Sequence, residues 1–123
     1  MMISGRVNEN REAVISLTLI GLVGEKHEIE AVIDTGFSGD LTLPDEVAAS
    51  LGLTWLGREP GVLADGSTDL FDVYAGSVVW NGEPRVVEVA AANAQPLVGM
   101  NLLHGHSLRI DVVVDGHVEI AEL

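Results

Sequence analysis

From Ala13 to Ile20 apolar side chains fall on every second position, at Ala13, Ile15, Leu17 and Leu19, against a mixed second face. From His27 to Asp34 the alternation returns, with Ile29, Ala31 and Ile33 set against Glu28, Glu30, Val32 and Asp34. A period of two puts alternate side chains on one face of a pleated strand, so both segments predict half-buried β-strands. Gly21 to Lys26 turns one into the other. Leu41 to Leu43 predicts a short apolar strand. In "PDEVAASLG", Pro44 suits the first helical position, Asp45 and Glu46 suit the positive end of a helix, and Gly52 suits its stop. Beyond Leu53 the strand pattern resumes. Asp65-Gly66 and Asn81-Gly82 are dipeptides suited to turns that need positive φ, and they predict two hairpins. "GMNLLHG" predicts a second short helix, and "SLRIDVVVDGHVEIAEL" a closing hairpin about Asp115-Gly116. No linker, repeat or low-complexity stretch interrupts the pattern. The expectation is a mostly-β single domain over residues 1–123, with strands that close up or pair outside the chain.

Composition narrows the chemistry. Apolar residues make up 47% of 123 residues, enough for a core without covalent staples. The absence of cysteine excludes a disulfide framework, a thiolate metal site and a cysteine nucleophile, and fits a reducing compartment. The opening "MMISGRVNENREAV" lacks the cationic-then-apolar order of a secretory signal. The charge-free stretch Ala13 to Gly24 is too short to span a bilayer. A cytoplasmic protein without membrane contact is expected. A net charge of −13, from 19 acidic and 6 basic side chains, argues against nucleic acid and anionic lipid as partners. Ser38 in "GFSGD" does not make a nucleophile elbow, because Asp40 stands where that motif needs glycine. His104 and His106 fall short of the three or four ligands of a zinc site and read as a polar helix-end loop, so neither metal nor cofactor is expected. His27 and His117 are expected at the surface, and Trp55 and Trp80 in core or hairpin packing.

One segment remains, "AVIDTGFSGDLTLP", in which a strand delivers a carboxylate to a tight turn. Asp34-Thr35-Gly36 resembles the catalytic triplet of aspartic proteases. "LTLP" resembles the strand that follows it there, "LADGST" falls where that family has its flap, and "PLVGMNLL" resembles its second structural element, with "GMNLL" close to the retroviral form. The resemblance runs from about Ile15 to Val114. Two-lobed members carry two triplets, whereas this chain has one and is too short for two lobes. It therefore resembles the retropepsin branch, in which two identical chains each supply one Asp.

The resemblance implies a closed retropepsin-like acid-protease β-barrel with one or two short helices and a flap hairpin. It implies a homodimer that pairs Asp34 with the partner's Asp34, and a peptide or protein substrate. Two ionised carboxylates roughly 3 Å apart repel by about 5 kcal/mol at an effective dielectric near 20, so the pair shares one proton, as aspartic-protease dyads do. One Asp34 then activates water as general base while the other donates to the scissile carbonyl. Thr35 would hydrogen-bond across the dimer axis, and Gly36 would permit close approach. Leu63, Ala64, Asp65, Gly66 and Ser67 would form the flap, and Ile33, Val62, Leu97 and Val98 the substrate groove. The chain ends, "MMISGRV" and "VEIAEL", are the expected dimer-sheet strands. Two residues depart from the family pattern. Phe37 stands where family members have a small residue, and Asp65 adds an acid at the flap tip. Both leave open a second reading, a dimeric peptide-binding or assembly module of the same fold that cleaves weakly or not at all.

Overall fold

The computed structural model describes residues 2–123. Ten strands and two short helices follow in the order β1 Met2–Val7, β2 Ala13–Ile20, β3 Lys26–Ile33, β4 Leu41–Leu43, α1 Asp45–Ser50, β5 Thr54–Val62, β6 Thr68–Trp80, β7 Glu83–Ala91, β8 Leu97–Val98, α2 Met100–Leu103, β9 His106–Ile110 and β10 His117–Glu122. They form one sheet ordered β5-β6-β7-β4-β8-β3-β2-β1-β10-β9, with β6 also pairing β2. Among the described residues no helix is long and apolar enough to cross a membrane.

The period-two segments pair as expected. β2 and β3 run antiparallel from Val14 opposite Val32 to Ile20 opposite Lys26. Ala13, Ile15, Leu17, Leu19, Ala31 and Ile33 are buried, while the alternate positions are half-buried or exposed. They pack with Leu41 and Leu43 of β4, Val78 and Trp80 of β6, Val87 and Val89 of β7, and Leu102 of α2. Full burial of an aliphatic side chain stabilises the fold by about 1.5–3 kcal/mol, so this cluster is the main source of folding free energy. Trp55 lies outside it, exposed on β5.

Local turn chemistry follows the sequence at two places. Asn81 (φ 52°) and Gly82 (φ 80°) are both left-handed, as a two-residue turn between twisted strands requires. Leu63 N donates to Ser67 O and Gly66 N to Leu63 O, and Gly66 (φ 85°) supplies the left-handed residue of the β5–β6 tip.

Three expectations need correction. Pro44 precedes the helix rather than opening it: its ψ of 146° is extended, and its carbonyl accepts from Val47 N and Ala48 N. The last hairpin turns over residues 111–116 rather than at Asp115-Gly116 alone. Asp115 N donates to Val7 O and Val7 N to Gly116 O, which fastens the loop to the end of β1. Third, the chain ends are not free. β1 pairs β10 from Met2 opposite Ala121 to Arg6 opposite His117, and these strands are flanked by β2 and β9. Met1 of the expected terminal strand lies outside the described residues. The open edges of the sheet are β5 and β9.

Candidate active site

Asp34 stands one residue beyond β3, where β3 pairs in parallel with β8 through Val32–Leu97 and Ile33–Val98. Its amide extends that ladder by donating to Val98 O at 2.9 Å. The chain then turns at once. Phe37 N donates to Asp34 O at 3.1 Å, and Gly36 N donates to Asp34 Oδ1 at 3.0 Å. A β-carbon on Gly36 would stand only 3.3 Å from that oxygen, so glycine keeps the amide–carboxylate approach open. Asp34 is half-buried, and Thr35 and Gly36 are exposed. The strand thus fixes the backbone of Asp34 while its carboxyl stays within reach of solvent, as a carboxylate that handles water requires.

The rest of the loop is fastened to the α2 end of the chain. Gly99 N donates to Asp40 O, Met100 N to Phe37 O and Asn101 N to Gly39 O. Phe37 folds back along its own loop, its ring over Gly39 and Gly99: a β-carbon on either glycine would fall 2.6 Å from a ring carbon. Two polar side chains tie this region further. Asp40 accepts from Asn101 Nδ2 at 2.7 Å and from Glu88 N at 2.9 Å, and Thr42 Oγ1 accepts from Leu97 N at 2.9 Å. Sequence reasoning overlooked Asp40, Asn101 and Thr42. The available signal was two polar residues, Asp40 and Thr42, bracketing Leu41 at the start of a wholly buried strand.

The expected flap residues Leu63 to Ser67 join β5 to β6 at the tip of a long hairpin. Asp65 Oδ1 accepts from both the amide and the hydroxyl of Ser67. The Ser67 hydroxyl, then the Ser67 amide, hold the Asp65 carboxyl below its ordinary value. A depressed folded value means that the turn is favoured above the free-Asp value and loses this support as pH falls through the folded one. Ser67→Ala removes the larger cause, so Asp65 should titrate at higher pH in the variant, as read by NMR. An unchanged titration would show that the Ser67 hydroxyl does not hold the turn. Nearer the root of the hairpin, Trp55 Nε1 and Arg58 Nε both donate to Asp72 Oδ1, across a bulge between Trp55 and Gly57.

The four groove candidates divide. Val62 is 77% exposed and Leu97 half-buried, whereas Ile33 and Val98 are core residues at 9% and 0%. Alternation turns the side chains of Ile33 and Val98 inward, so in this chain their contribution beside Asp34 is backbone. His27 and His117 lie at the surface. His106 is instead a packing residue: its Nε2 meets Trp80 Nε1 at 3.2 Å and Asn81 Nδ2 at 2.9 Å. Among the described residues no three His, Asp or Glu side chains cluster as a metal site would require. Two surface depressions, of about 560 Å³ beside Trp80 and about 380 Å³ beside Arg6, are not lined by Asp34.

No protein-family model matches the sequence, and no curated protein matches it significantly. A solved structure does: a retropepsin-like aspartic protease from Rickettsia conorii aligns over 99% of this chain and 90% of its own, with a TM-score of 0.65 and 22% sequence identity. The chain has the retropepsin-like fold, mostly β with two short helices.

Proposed function

We infer that this chain is an aspartic endopeptidase, active as a homodimer in which the Asp34 carboxylates of two copies hold one water between them. The observation that carries the reading is the placement of Asp34, just beyond a strand anchored in the core by Ala31 and Ile33 and in a turn whose glycine amide meets its carboxylate, within a retropepsin-like fold. A single chain supplies one such carboxylate, and exposed Thr35 beside it is available to a second copy. The β2–β6 pairing supports reading β6, β7, β4, β8, β3 and β2 as a closed barrel behind the site, within one domain spanning residues 1–123. A cysteine-free composition supports a cytoplasmic setting.

In this mechanism the ionised Asp34 takes a proton from the water as the oxygen attacks the peptide carbonyl. The protonated Asp34 of the other copy hydrogen-bonds the developing oxyanion and then returns a proton to the leaving amine. No covalent intermediate forms. The β5–β6 hairpin, with Leu63 to Ser67 at its tip, closes over the peptide and excludes water.

The test is incubation with a diverse peptide mixture from pH 3 to 8, read by mass spectrometry, beside sedimentation over micromolar concentrations. Cleavage by a species of twice the chain mass is expected. A strict monomer that cleaves peptide would overturn the shared dyad. Absence of cleavage at every pH, with the dimer intact, would favour the peptide-binding module. The observation on that side is Phe37, whose position carries no hydroxyl to support Asp34.

Thr35→Ala should weaken the dimer. Losing a buried hydrogen bond across the axis leaves groups unsatisfied at about 1–3 kcal/mol each. The comparison is its dimer dissociation constant against that of Thr68→Ala, and equal constants would remove Thr35 from the interface.

A further inference from the structure

Among the described residues Asp40 is one of two buried polar side chains, at 9% exposure, and the mechanism above does not use it. Its two carboxylate oxygens meet two N–H donors from distant parts of the chain. Oδ1 accepts from Asn101 Nδ2 at the start of α2, and Oδ2 accepts from the amide of Glu88 in β7. Glu88 precedes Val89, the residue opposite Leu41 in the parallel β4–β7 ladder. The carboxylate therefore adds a rung below that ladder, at the point where the Asp34 loop enters β4. None of the ion pairs among the described residues involves Asp40. Its partners are hydrogen-bond donors alone, and the contact is set by direction rather than by countercharge.

We propose that Asp40 is a positioning residue for Asp34, fixing the far end of the 34–40 loop against α2 and β7 so that the carboxyl of Asp34 is held in its reactive place. The proposal rests on the reading of Asp34 as catalytic. The near end of the loop is fixed by Asp34 N on Val98 O, and its middle by Met100 N on Phe37 O. Asp40 closes the far end with its side chain as well as its backbone. Without it the amide of Glu88 loses its acceptor, and the loop can shift along α2. A misplacement of about 1 Å at a reacting group can cost about 100-fold in rate.

The chemistry predicts which replacements work. Asn101 is exposed, so its side-chain amide can rotate and leave the outer atom to water. Asp40→Asn then keeps Oδ1 on the Glu88 amide and donates through Nδ2 to the rotated Asn101. Asp40→Ala removes both acceptors. Asn101→Asp sets two carboxylates against each other, and adding Asp40→Asn restores a donor–acceptor pair with the roles exchanged.

The experiment measures kcat and KM on a peptide cleaved by the wild type, with amide exchange of Thr35 to Phe37 read beside that of Val118 to Ile120. Asp40→Ala and Asn101→Asp should lose about 100-fold in kcat with KM within a few-fold. Exchange should quicken at Thr35 to Phe37 and not in β10. Asp40→Asn and the exchanged pair should stay within about tenfold of wild type, because each keeps a donor opposite an acceptor, and the confinement of the exchange change to Thr35 to Phe37 separates positioning of the loop from general loss of stability. Retention of full kcat by Asp40→Ala, or failure of the exchanged pair to recover from Asn101→Asp, would overturn the proposal. If the wild type cleaves nothing, the peptidase reading falls while the exchange arm still decides Asp40: unchanged exchange at Thr35 to Phe37 in Asp40→Ala would refute it.

Discussion

Asp34→Asn should abolish the proposed cleavage and leave the proposed dimer at least as stable at neutral pH. The two halves of this result have one cause. Asparagine keeps the size of the side chain and still offers an oxygen to the Gly36 amide, so the turn after β3 survives. It has neither the base that takes a proton from water nor the acid that supports the oxyanion, and losing general acid–base catalysis costs about 10²–10⁴-fold per group. Both copies are changed at once, so the loss should lie at or beyond the upper figure. On the stability side, the proposed dimer would set two carboxylates close together, where like charges repel. The variant lacks that repulsion. Its melting temperature at pH 7 should equal or exceed that of the wild type, with the gap closing as pH falls, both proteins being measured at one concentration because dimer stability depends on it. A loss of several degrees at pH 7 would mark Asp34 as a structural acceptor in a turn and nothing more.

What the sequence makes legible here is short-range. The alternation in β2 and β3 is read directly because one face of each is buried, and a slip of one residue would turn Ile15 and Leu17 to solvent. Asn81-Gly82 is legible because two consecutive left-handed residues demand that pair. Asp34 is legible because the triplet, its strand and its turn are contiguous. What escaped is long-range. Asp40 and Asn101 are 61 positions apart, and nothing local to either indicates the other. The pairing of β1 with β10 joins the two ends of the chain, and no periodicity specifies which strand a strand will meet. The orientation of Phe37 depends on two glycines, one of them 62 positions away, and the sequence presents only its size. The turn that carries Asp34 is thus written locally, while the contacts that fasten it are distributed over the fold.

That distribution makes Gly99→Ala the most damaging single-carbon change beside the site. Gly99 has φ −103° and ψ 177°, extended backbone that alanine adopts freely, so the cost is one of space. The added carbon would lie 2.6 Å from Phe37 Cδ2, 2.8 Å from Phe37 O and closer still to Gly39 O. The two oxygens are the acceptors for Met100 N and Asn101 N, so they cannot withdraw without parting the Asp34 loop from α2. Overpacking a tight site costs about 1–3 kcal/mol, and here the expected loss is at the upper end because backbone must move. Activity should fall with it by about 100-fold, since the loop that carries Asp34 is displaced. Gly39→Ala is the informative comparison. Its added carbon meets only the Phe37 ring, at 2.6 Å from Cζ and 2.7 Å from Cε1. Adding Phe37→Ala should therefore relieve Gly39→Ala and leave Gly99→Ala unrelieved, as read by thermal unfolding and peptide cleavage of the single and double variants. Equal relief of both would show that the ring, rather than the two carbonyls, sets the distance between the Asp34 loop and α2.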